Sequence, residues 1–307
     1  MTDVATESLT MREVFGRTVT ELLDTDQRAV LVLADISTVM FAPAAARHPN
    51  RVINVGIREQ LLIGVAGGLA LTGLRPVVYS FSPFLVERPF EQIKLDLGHQ
   101  DVGAVLVSSG GSYDYAEEGR SHQAPGDVAL LDTLPGWTIH VPGHPAEADR
   151  LLRAAVAGAD PVYIRLSAQS NAAPTDGNRV RVLRPGRRGV VLAVGPMLDR
   201  VLAATATMDV TVAYTATVRP LDGAGLREAV LAADRADVVL VEPYLAGTSA
   251  YLVNAALDDV PHRLRSLGVS REVELRMYGT PEDHDTAHGL YTAGIAAAVQ
   301  SFLDRSD

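Results

Sequence analysis

Cysteine is absent from this chain of 307 residues, so disulfide bonds and thiolate metal sites are excluded. Aromatic residues are scarce at 5%, whereas Ala, Val and Leu dominate a hydrophobic content of 47%. Basic charge is also in deficit, because 27 Lys and Arg stand against 37 Asp and Glu and give a net charge of −10. Binding to nucleic acid or to an anionic membrane usually needs a basic patch, so both kinds of partner are disfavoured.

Long apolar runs are missing as well, and no stretch is long and charge-free enough to span a bilayer. The segment 1–10 is polar and acidic and lacks the apolar core of a signal peptide. These absences predict a cytoplasmic protein. The length allows two ordinary domains, and a charged content of 21% in an apolar background is typical of a globular chain.

Short apolar runs alternate with amphipathic or small-residue segments along the chain, which predicts an α/β fold of two successive doubly wound domains. The first domain is predicted at 1–170, a linker without clear periodicity at 171–188, and the second domain at 189–307. A loop is predicted at 36–54 and a last helix at 286–303. Buried strands are predicted at 29–34, 75–81, 103–108, 137–141 and 161–166, and then at 189–194, 210–214, 238–242 and 263–267.

The segment 54–60 reads Asn-Val-Gly-Ile-Arg-Glu-Gln and leads into an almost wholly apolar helix that is rich in small residues. Glu59 lies at the start of this helix. By its position alone, Glu59 is a carboxylate in the first turn of a helix, where the helix dipole favours a negative charge. The apolar helix predicts in addition that the carboxyl group is partly desolvated, which favours a shared or retained proton.

Gly-Ile-Arg-Glu-Gln followed by this helix resembles the pyrimidine-binding motif of the transketolase family, including the synthases that make 1-deoxyxylulose phosphate. The resemblance implies that Glu59 is the catalytic glutamate, which hydrogen-bonds the pyrimidine ring of thiamine diphosphate and activates the cofactor. It also implies that Ile57 lies against the cofactor. In such enzymes the cofactor supplies the electron sink while the protein supplies positioning and a proton path.

Two further segments carry the resemblance in the expected order. Phe84, which closes Tyr-Ser-Phe-Ser-Pro-Phe at 79–84, and Phe90 resemble the aromatic wall of the pyrimidine site, although such a pair is otherwise often plain core. Gly-Arg-Ser-His-Gln at 119–123 resembles the family loop whose histidine faces the reacting centre. This implies that His122 is catalytic and contacts the substrate together with Glu118, since imidazole can donate a hydrogen bond or carry protons near neutral pH.

Arg12 and Arg165 match two family positions that bind the distal phosphate of sugar phosphates, and a helix-surface charge and a strand-end charge are their alternative interpretations. Other substrate-side positions depart from the usual family pattern: Gly110, Glu87, Glu118, Arg120 and Pro243-Tyr244. These departures favour a ketose or ketose phosphate other than the pentose phosphates of central metabolism.

The Gly-Asp-Gly motif, which in this family holds the Mg²⁺ of the cofactor diphosphate together with a later Asn, does not occur in the sequence. The nearest string, Thr-Asp-Gly-Asn at 175–178, has no strand before it and indicates a turn. The resemblance therefore implies no metal ligand in this chain. It implies a partner chain, an N-terminal diphosphate-binding subunit, that carries the Mg²⁺ site in a heterotetramer.

The leading interpretation is the C-terminal subunit of a split transketolase, which transfers a two-carbon ketol unit from a ketose donor to an aldehyde. Segments 218–222 and 241–243 resemble the C-terminal domain of that family, which is mainly structural. The β chain of a 2-oxo-acid dehydrogenase decarboxylase component is the alternative, because it shares the layout and also lacks the metal motif. A non-catalytic partner subunit is a third possibility, against which Glu59 and His122 argue.

Overall fold

Two β-sheets covered by helices make up the chain in a computed structural model that describes residues 9–305. The strands are Ala29–Leu33 (β1), Val52–Asn54 (β2), Arg75–Phe81 (β3), Val105–Ser109 (β4), Thr138–His140 (β5), Val162–Arg165 (β6), Arg181–Arg184 (β7), Val190–Val194 (β8), Thr211–Thr215 (β9), Thr217–Arg219 (β10), Asp237–Leu245 (β11) and Arg263–Val269 (β12). The helices are Met11–Thr25 (α1), Ala42–Arg47 (α2), Glu59–Leu71 (α3), Phe90–Gln92 (α4), Asp127–Asp132 (α5), Pro145–Ala157 (α6), Leu198–Ala204 (α7), Gly223–Leu231 (α8), Ala250–Ala256 (α9), Pro281–His288 (α10) and Thr292–Leu303 (α11). The π-helical turns Pro83–Glu87 and Ile93–His99 flank α4.

The first sheet has seven strands in the order β10-β5-β6-β4-β3-β1-β2, and only β10 runs antiparallel to its neighbour among them. Alternate residues of β1 belong to different cores. Val30 and Val32 pack on one face with α3, while Leu31 and Leu33 pack on the other with α1 and α6. A strand covered on both faces must be apolar throughout, which is why its sequence is a continuous apolar run.

The second sheet has five strands in the order β12-β11-β8-β9-β7, with β7 antiparallel at one edge. Val190 and Leu192 face a core cluster that is shared with the first sheet, and Val191 and Ala193 face a separate cluster under α7 and α11. Both sheets are therefore parallel in their centres and covered on both faces. The predicted fold class, two successive doubly wound α/β units, is confirmed.

The predicted last helix at 286–303 is wrong in its extent. The structure has α10 and α11 instead, separated at Gly289, whose φ of 70° ends α10 in a left-handed cap. Thr280 caps the start of α10 through a reciprocal pair of hydrogen bonds with Asp283. A glycine in this conformation closes a helix because it has no Cβ to strain.

Several short elements lie where no regular structure was predicted. The predicted loop at 36–54 contains α2 and β2, and the predicted linker contains β7, which pairs with β9. Residues 217–219, within the range predicted for the second domain, form β10 and join the first sheet beside β5. The first sheet thus takes up a strand from the second half of the chain, while the predicted domain boundaries stay predictions.

No helix within residues 9–305 is long and apolar enough to cross a membrane. Most of the N-terminal segment that was interpreted as lacking a signal peptide lies outside these described residues. The cytoplasmic location stays a prediction.

Candidate active site

Three predicted site residues come after strands of the first sheet and lie on the side of the sheet where the carboxyl ends of these strands meet. Glu59 follows β2, Phe84 follows β3, and the loop that carries His122 follows β4. In open parallel sheets this edge is where ligands bind, because the loops that follow neighbouring strands converge there.

Glu59 is the first residue of α3, and its side chain is only 6% exposed. Arg58, the N-cap residue, forms no side-chain hydrogen bond to the first turn, and Glu59 is the acidic residue of that turn, where the helix dipole favours a carboxylate. Its Oε1 accepts a hydrogen bond of 2.9 Å from Nη1 of Arg88. The structure thus gives Glu59 the predicted desolvated position, and it adds a cationic partner.

Aromatic rings form a cluster that Arg88 connects to Glu59. Phe84 is 9% exposed, and its centroid lies 5.0 Å from the His122 ring and 6.1 Å from the Phe81 ring. Phe81 also contacts Tyr115 and His122, with centroid distances of 4.8 and 5.9 Å. The structure therefore brings Phe84 and His122 together with two rings that were not predicted as site residues.

Two predicted cofactor contacts lie apart from this ring cluster. The side chain of Ile57 is 72% exposed, just before α3. Phe90 opens α4 and packs, partly buried, against the core cluster that includes α3. Ile57 is therefore free to contact a ligand or a partner chain, whereas Phe90 is a core contact; their cofactor-binding roles stay predictions.

Arg12 lies on α1 and reaches over the carboxyl edge. Its Nη2 donates a 2.6 Å hydrogen bond to Oγ of Ser37, and its guanidinium carbon lies 5.8 Å from the Phe81 centroid. Its Nε is buried and has no partner within the described chain. Arg12 is half-buried and lies close to the ring cluster, which is compatible with the predicted anion-binding role.

The loop after β4 presents Glu118 and His122 on two short 3₁₀ turns that meet at Gly119. Glu118 is exposed, whereas His122 is half-buried and accepts or donates a 3.0 Å hydrogen bond at Nδ1 with Oγ of Ser121. Gly119 has a φ of 74°, and a Cβ there would lie 2.6 Å from Cε1 of Tyr278. Only glycine allows this turn and this close approach of the second domain.

Arg165 lies at the end of β6 but is only 1% exposed. Its Nε donates to Oδ2 of Asp127 at 2.8 Å, and its Nη2 donates to Oγ of Ser112 at 2.7 Å. Asp114 lies in the same buried region, where burial raises the pKa of its carboxyl group to about 6. The guanidinium is therefore neutralised from within the chain, and its predicted role in substrate binding stays a prediction.

The second unit holds the loop after β4 through contacts that sequence patterns did not reveal. The Tyr113 ring packs against the rings of His284 and His288, with centroid distances of 5.1 and 5.6 Å. Its hydroxyl donates to Oδ1 of Asp285 at 2.7 Å. Arg120 pairs with Glu274 at 3.1 Å. A cavity of about 370 Å³ separates this loop from the second unit, and its lining does not include Glu59, Phe84 or His122.

Arg88 is the main residue that sequence reasoning missed. Its guanidinium carbon lies 3.9 Å from the Phe84 centroid, and the same group bonds Glu59. Arg88 follows Phe84 by four residues on a helical turn, which is a spacing that brings side chains together. Its contact with Glu59 spans 29 residues and leaves no local signal in the sequence.

Within residues 9–305, no group of three or more His, Asp or Glu side chains is arranged to hold a metal ion. The acidic residues that are buried here have protein partners, as Asp127 and Glu59 do.

Residues 7–173 match the family model described as "Transketolase, pyrimidine binding domain". This match covers more than half of the chain and includes Glu59, the ring cluster and the loop after β4. The chain belongs to the transketolase family. Its identification as a C-terminal subunit of this family is confirmed.

Relatives of known sequence agree with this assignment. The chain is 57% identical over 295 residues to the "Uncharacterized 33.6 kDa protein in fasciation locus" of Rhodococcoides fascians, and the match covers 95% of each chain. It is 30% identical over 215 residues to one of the subunits of the apulose-4-phosphate transketolase of Actinobacillus succinogenes, covering 66% of this chain and 68% of that protein. It is 32% identical to the 1-deoxy-D-xylulose-5-phosphate synthase of Alkalilimnicola ehrlichii over 97% of this chain, which spans only 48% of that synthase.

A solved structure described as "Split gene transketolase, inactive beta4 tetramer" superposes with a TM-score of 0.82 at 26% identity. The superposition covers 96% of this chain and 98% of that one. The transketolase of Campylobacter jejuni shares the fold with a TM-score of 0.75 at 16% identity, and this chain covers 46% of it.

Proposed function

We propose that this chain is the C-terminal subunit of a thiamine-diphosphate-dependent split transketolase that transfers a two-carbon ketol unit from a ketose to an aldehyde. The observation that carries this proposal is the buried carboxylate of Glu59 at the start of α3, which Arg88 connects to the ring of Phe84; that ring in turn contacts the imidazole of His122. A family relationship alone would not establish chemistry, because function resides in the site and not in the fold.

The residues present fit the aminopyrimidine half of the cofactor. A carboxylate acceptor and an aromatic face lie close enough together for one planar group, the guanidinium of Arg88, to contact both of them. A planar heterocycle with in-plane N–H donors has the same requirements. When bound, thiamine diphosphate would supply the carbanion chemistry that breaks and forms the C–C bond.

The residues of this chain would then bind, orient and move protons. Glu59 would share a proton with a ring nitrogen of the pyrimidine, and its burial keeps competing water away from the carboxyl group. His122 would donate to a substrate hydroxyl or carry its proton, since an imidazole does both near neutral pH. The exposed Glu118 would orient a second hydroxyl, and Arg12, whose side chain is only half-buried, would bind an anionic group of the substrate.

The diphosphate and its Mg²⁺ would be held by a partner chain. Mg²⁺ prefers an octahedron of oxygen ligands, and the described residues of this chain offer no suitable cluster. The chain spans about half of the synthases that it matches, and one relative is itself named as a subunit of a transketolase. These observations support an N-terminal diphosphate-binding partner in a heterotetramer, with the cofactor at the interface.

The substrate is proposed to be a ketose or ketose phosphate other than the central pentose phosphates. Of the two arginines that match phosphate-binding positions, Arg165 is paired with Asp127 and only 1% exposed, whereas Arg12 is half-buried. This supports a substrate with fewer or differently placed anionic oxygens. Efficient turnover of xylulose and ribose phosphates by the assembled enzyme would contradict this part of the proposal.

The test is to purify this chain alone and together with a co-expressed chain that carries Gly-Asp-Gly, and to measure bound thiamine diphosphate and ketose cleavage in each. We expect cofactor and activity in the pair only. Glu59→Gln should lower kcat by about 10²-fold or more, because a positioned proton-transfer group contributes on this scale. Glu91→Gln is the matched control, since this exposed carboxylate pairs with Lys94.

Three outcomes would contradict the proposal. Tight cofactor binding by this chain alone would remove the need for a partner, and an unchanged rate in Glu59→Gln would favour the non-catalytic subunit. Decarboxylation of pyruvate or a branched 2-oxo acid in place of ketol transfer would favour the dehydrogenase β chain.

A further inference from the structure

Arg88 occupies an unusual position for a surface cation. Its side chain is 45% exposed, yet its guanidinium bonds the buried Oε1 of Glu59 at 2.9 Å and lies 3.9 Å from the centroid of Phe84. The group is planar, carries N–H donors in its plane, and presents one face to an aromatic ring. It therefore satisfies the carboxylate and the ring at the same time.

An aminopyrimidine bound in this site would need the same two contacts. It would have to place an in-plane donor on Glu59 and a ring face against Phe84. Phe84 is 9% exposed and Glu59 is 5% exposed while Arg88 is in place, so a second planar group has no free surface on either of them. Arg88 and the pyrimidine ring cannot share these contacts.

We propose that Arg88 is a stand-in for the aminopyrimidine: it neutralises Glu59 and covers Phe84 in the cofactor-free chain and is displaced when the cofactor binds. This inference rests on the proposed function. Arg88 should therefore weaken cofactor binding, whereas a permanent cofactor ligand would strengthen it, because each cofactor must first displace the guanidinium.

The surroundings of Arg88 allow such a displacement without movement of the main chain. The side-chain amide of Gln60 donates a 3.3 Å hydrogen bond to the carbonyl oxygen of Arg88. This bond ties the backbone of Arg88 to the start of α3. The exposed part of the side chain faces solvent, where a guanidinium is well hydrated. A rotation of the side chain thus exposes Glu59 and Phe84 while the helix and the π-helical turn stay in place.

The stand-in also has a function in the chain without cofactor. A buried carboxylate without a partner is destabilising, because its desolvation is not compensated. Arg88 supplies that compensation until the cofactor does. Removing it should therefore destabilise the cofactor-free chain and strengthen cofactor binding, two effects that a purely structural ion pair would not combine.

The experiment compares wild type, Arg88→Ala and Arg88→Lys in the assembled complex by measuring the Kd of thiamine diphosphate in the presence of Mg²⁺, by calorimetry or by quenching of intrinsic fluorescence. We expect Arg88→Ala to lower the Kd by about 3- to 10-fold, because the cofactor no longer has to displace a guanidinium from Glu59 and Phe84. Arg88→Lys keeps the charge but not the planar stack and should fall between the two. Lys94→Ala, a surface cation nearby, is the matched control and should leave the Kd unchanged.

A second measurement follows the chain alone. Arg88→Ala should lower its melting temperature, and adding Glu59→Gln to that variant should restore part of the loss, because the unpaired charge is removed. A Kd that rises or stays the same in Arg88→Ala, in a complex whose wild type binds the cofactor, would overturn this inference only. A wild-type complex that binds no thiamine diphosphate would overturn the proposed function and this inference with it.

Discussion

Arg165 is the largest of the almost fully buried side chains in the described part of the chain. Its charge is tolerated because Asp127 accepts from it at 2.8 Å and also accepts from the hydroxyl of Tyr163 at 2.7 Å. Ser112 accepts from a second nitrogen of the guanidinium. A buried ion pair adds little net stability to a protein. Loss of one partner is strongly destabilising, however, because the remaining charge is then buried without compensation.

We predict that Asp127→Ala destabilises the chain by about 3–5 kcal/mol, since it leaves Arg165 buried without its hydrogen-bonded counter-charge. Urea denaturation followed by circular dichroism measures the loss. Asp259→Ala, which breaks the exposed pair with Arg227, is the matched control and should cost far less. A loss as small as that of the control would mean that Arg165 is not held by Asp127 and is available to an anionic substrate.

At the scale of the element, α3 shows why small residues line one side of the helix that carries Glu59. A Cβ at Gly67 would lie 2.5 Å from the carbonyl oxygen of Asp96, in the π-helical turn packed against α3. A Cβ at Gly68 would meet nothing within 4 Å. Neighbouring glycines thus have different roles: Gly67 permits close packing, and Gly68 only weakens the helix.

These two glycines form a matched pair for mutagenesis. Gly67→Ala should destabilise the chain by about 1–3 kcal/mol, because the added methyl group forces α3 away from the turn at Asp96. Gly68→Ala should stabilise the chain alone by up to about 1 kcal/mol, because alanine is the better helix former. Denaturation midpoints of the two variants measure both effects. Equal destabilisation by both would show that backbone propensity and not packing governs this helix.

At the scale of the whole molecule, β10 joins the two units. His140, on β5, forms a 3.0 Å hydrogen bond at Nδ1 with Oγ1 of Thr217, on β10. Burial, and to a smaller extent the charge of Arg150, lowers the pKa of His140 to about 4 from an ordinary value near 6.5. The folded chain therefore resists protonation of a histidine at the junction.

A pH dependence of stability follows from this shift. Between pH 6.5 and about 4 the unfolded chain binds a proton at His140 and the folded chain does not, so this group makes stability fall as the pH falls through that range. We predict that His140→Gln reduces this fall, as measured by urea denaturation at pH 7, 6, 5 and 4.5. The exposed His99→Gln is the control. An identical slope in wild type and His140→Gln would show that the junction does not oppose protonation.

Local patterns were sufficient for the elements that are buried on both faces. A central strand covered on both faces favours apolar residues throughout, so β1 and β8 are visible as runs of Val, Leu and Ala without reference to any distant residue. Edge strands such as β7 and β10 have no such requirement, and their pairing partners decide whether they form. This is why the predicted linker was found to contain a strand.

The sequence by itself determined the α/β alternation, the position of Glu59 at the start of an apolar helix, and the aromatic and histidine residues that follow it in order, because each depends on neighbours within a few positions. The tertiary structure alone decided that Arg88 covers Glu59, that Asp127 neutralises Arg165, and that Thr217 meets His140. These contacts span 29, 38 and 77 residues. Charge compensation acts through space, and the partner of a buried ionic group leaves no trace in the segment around it.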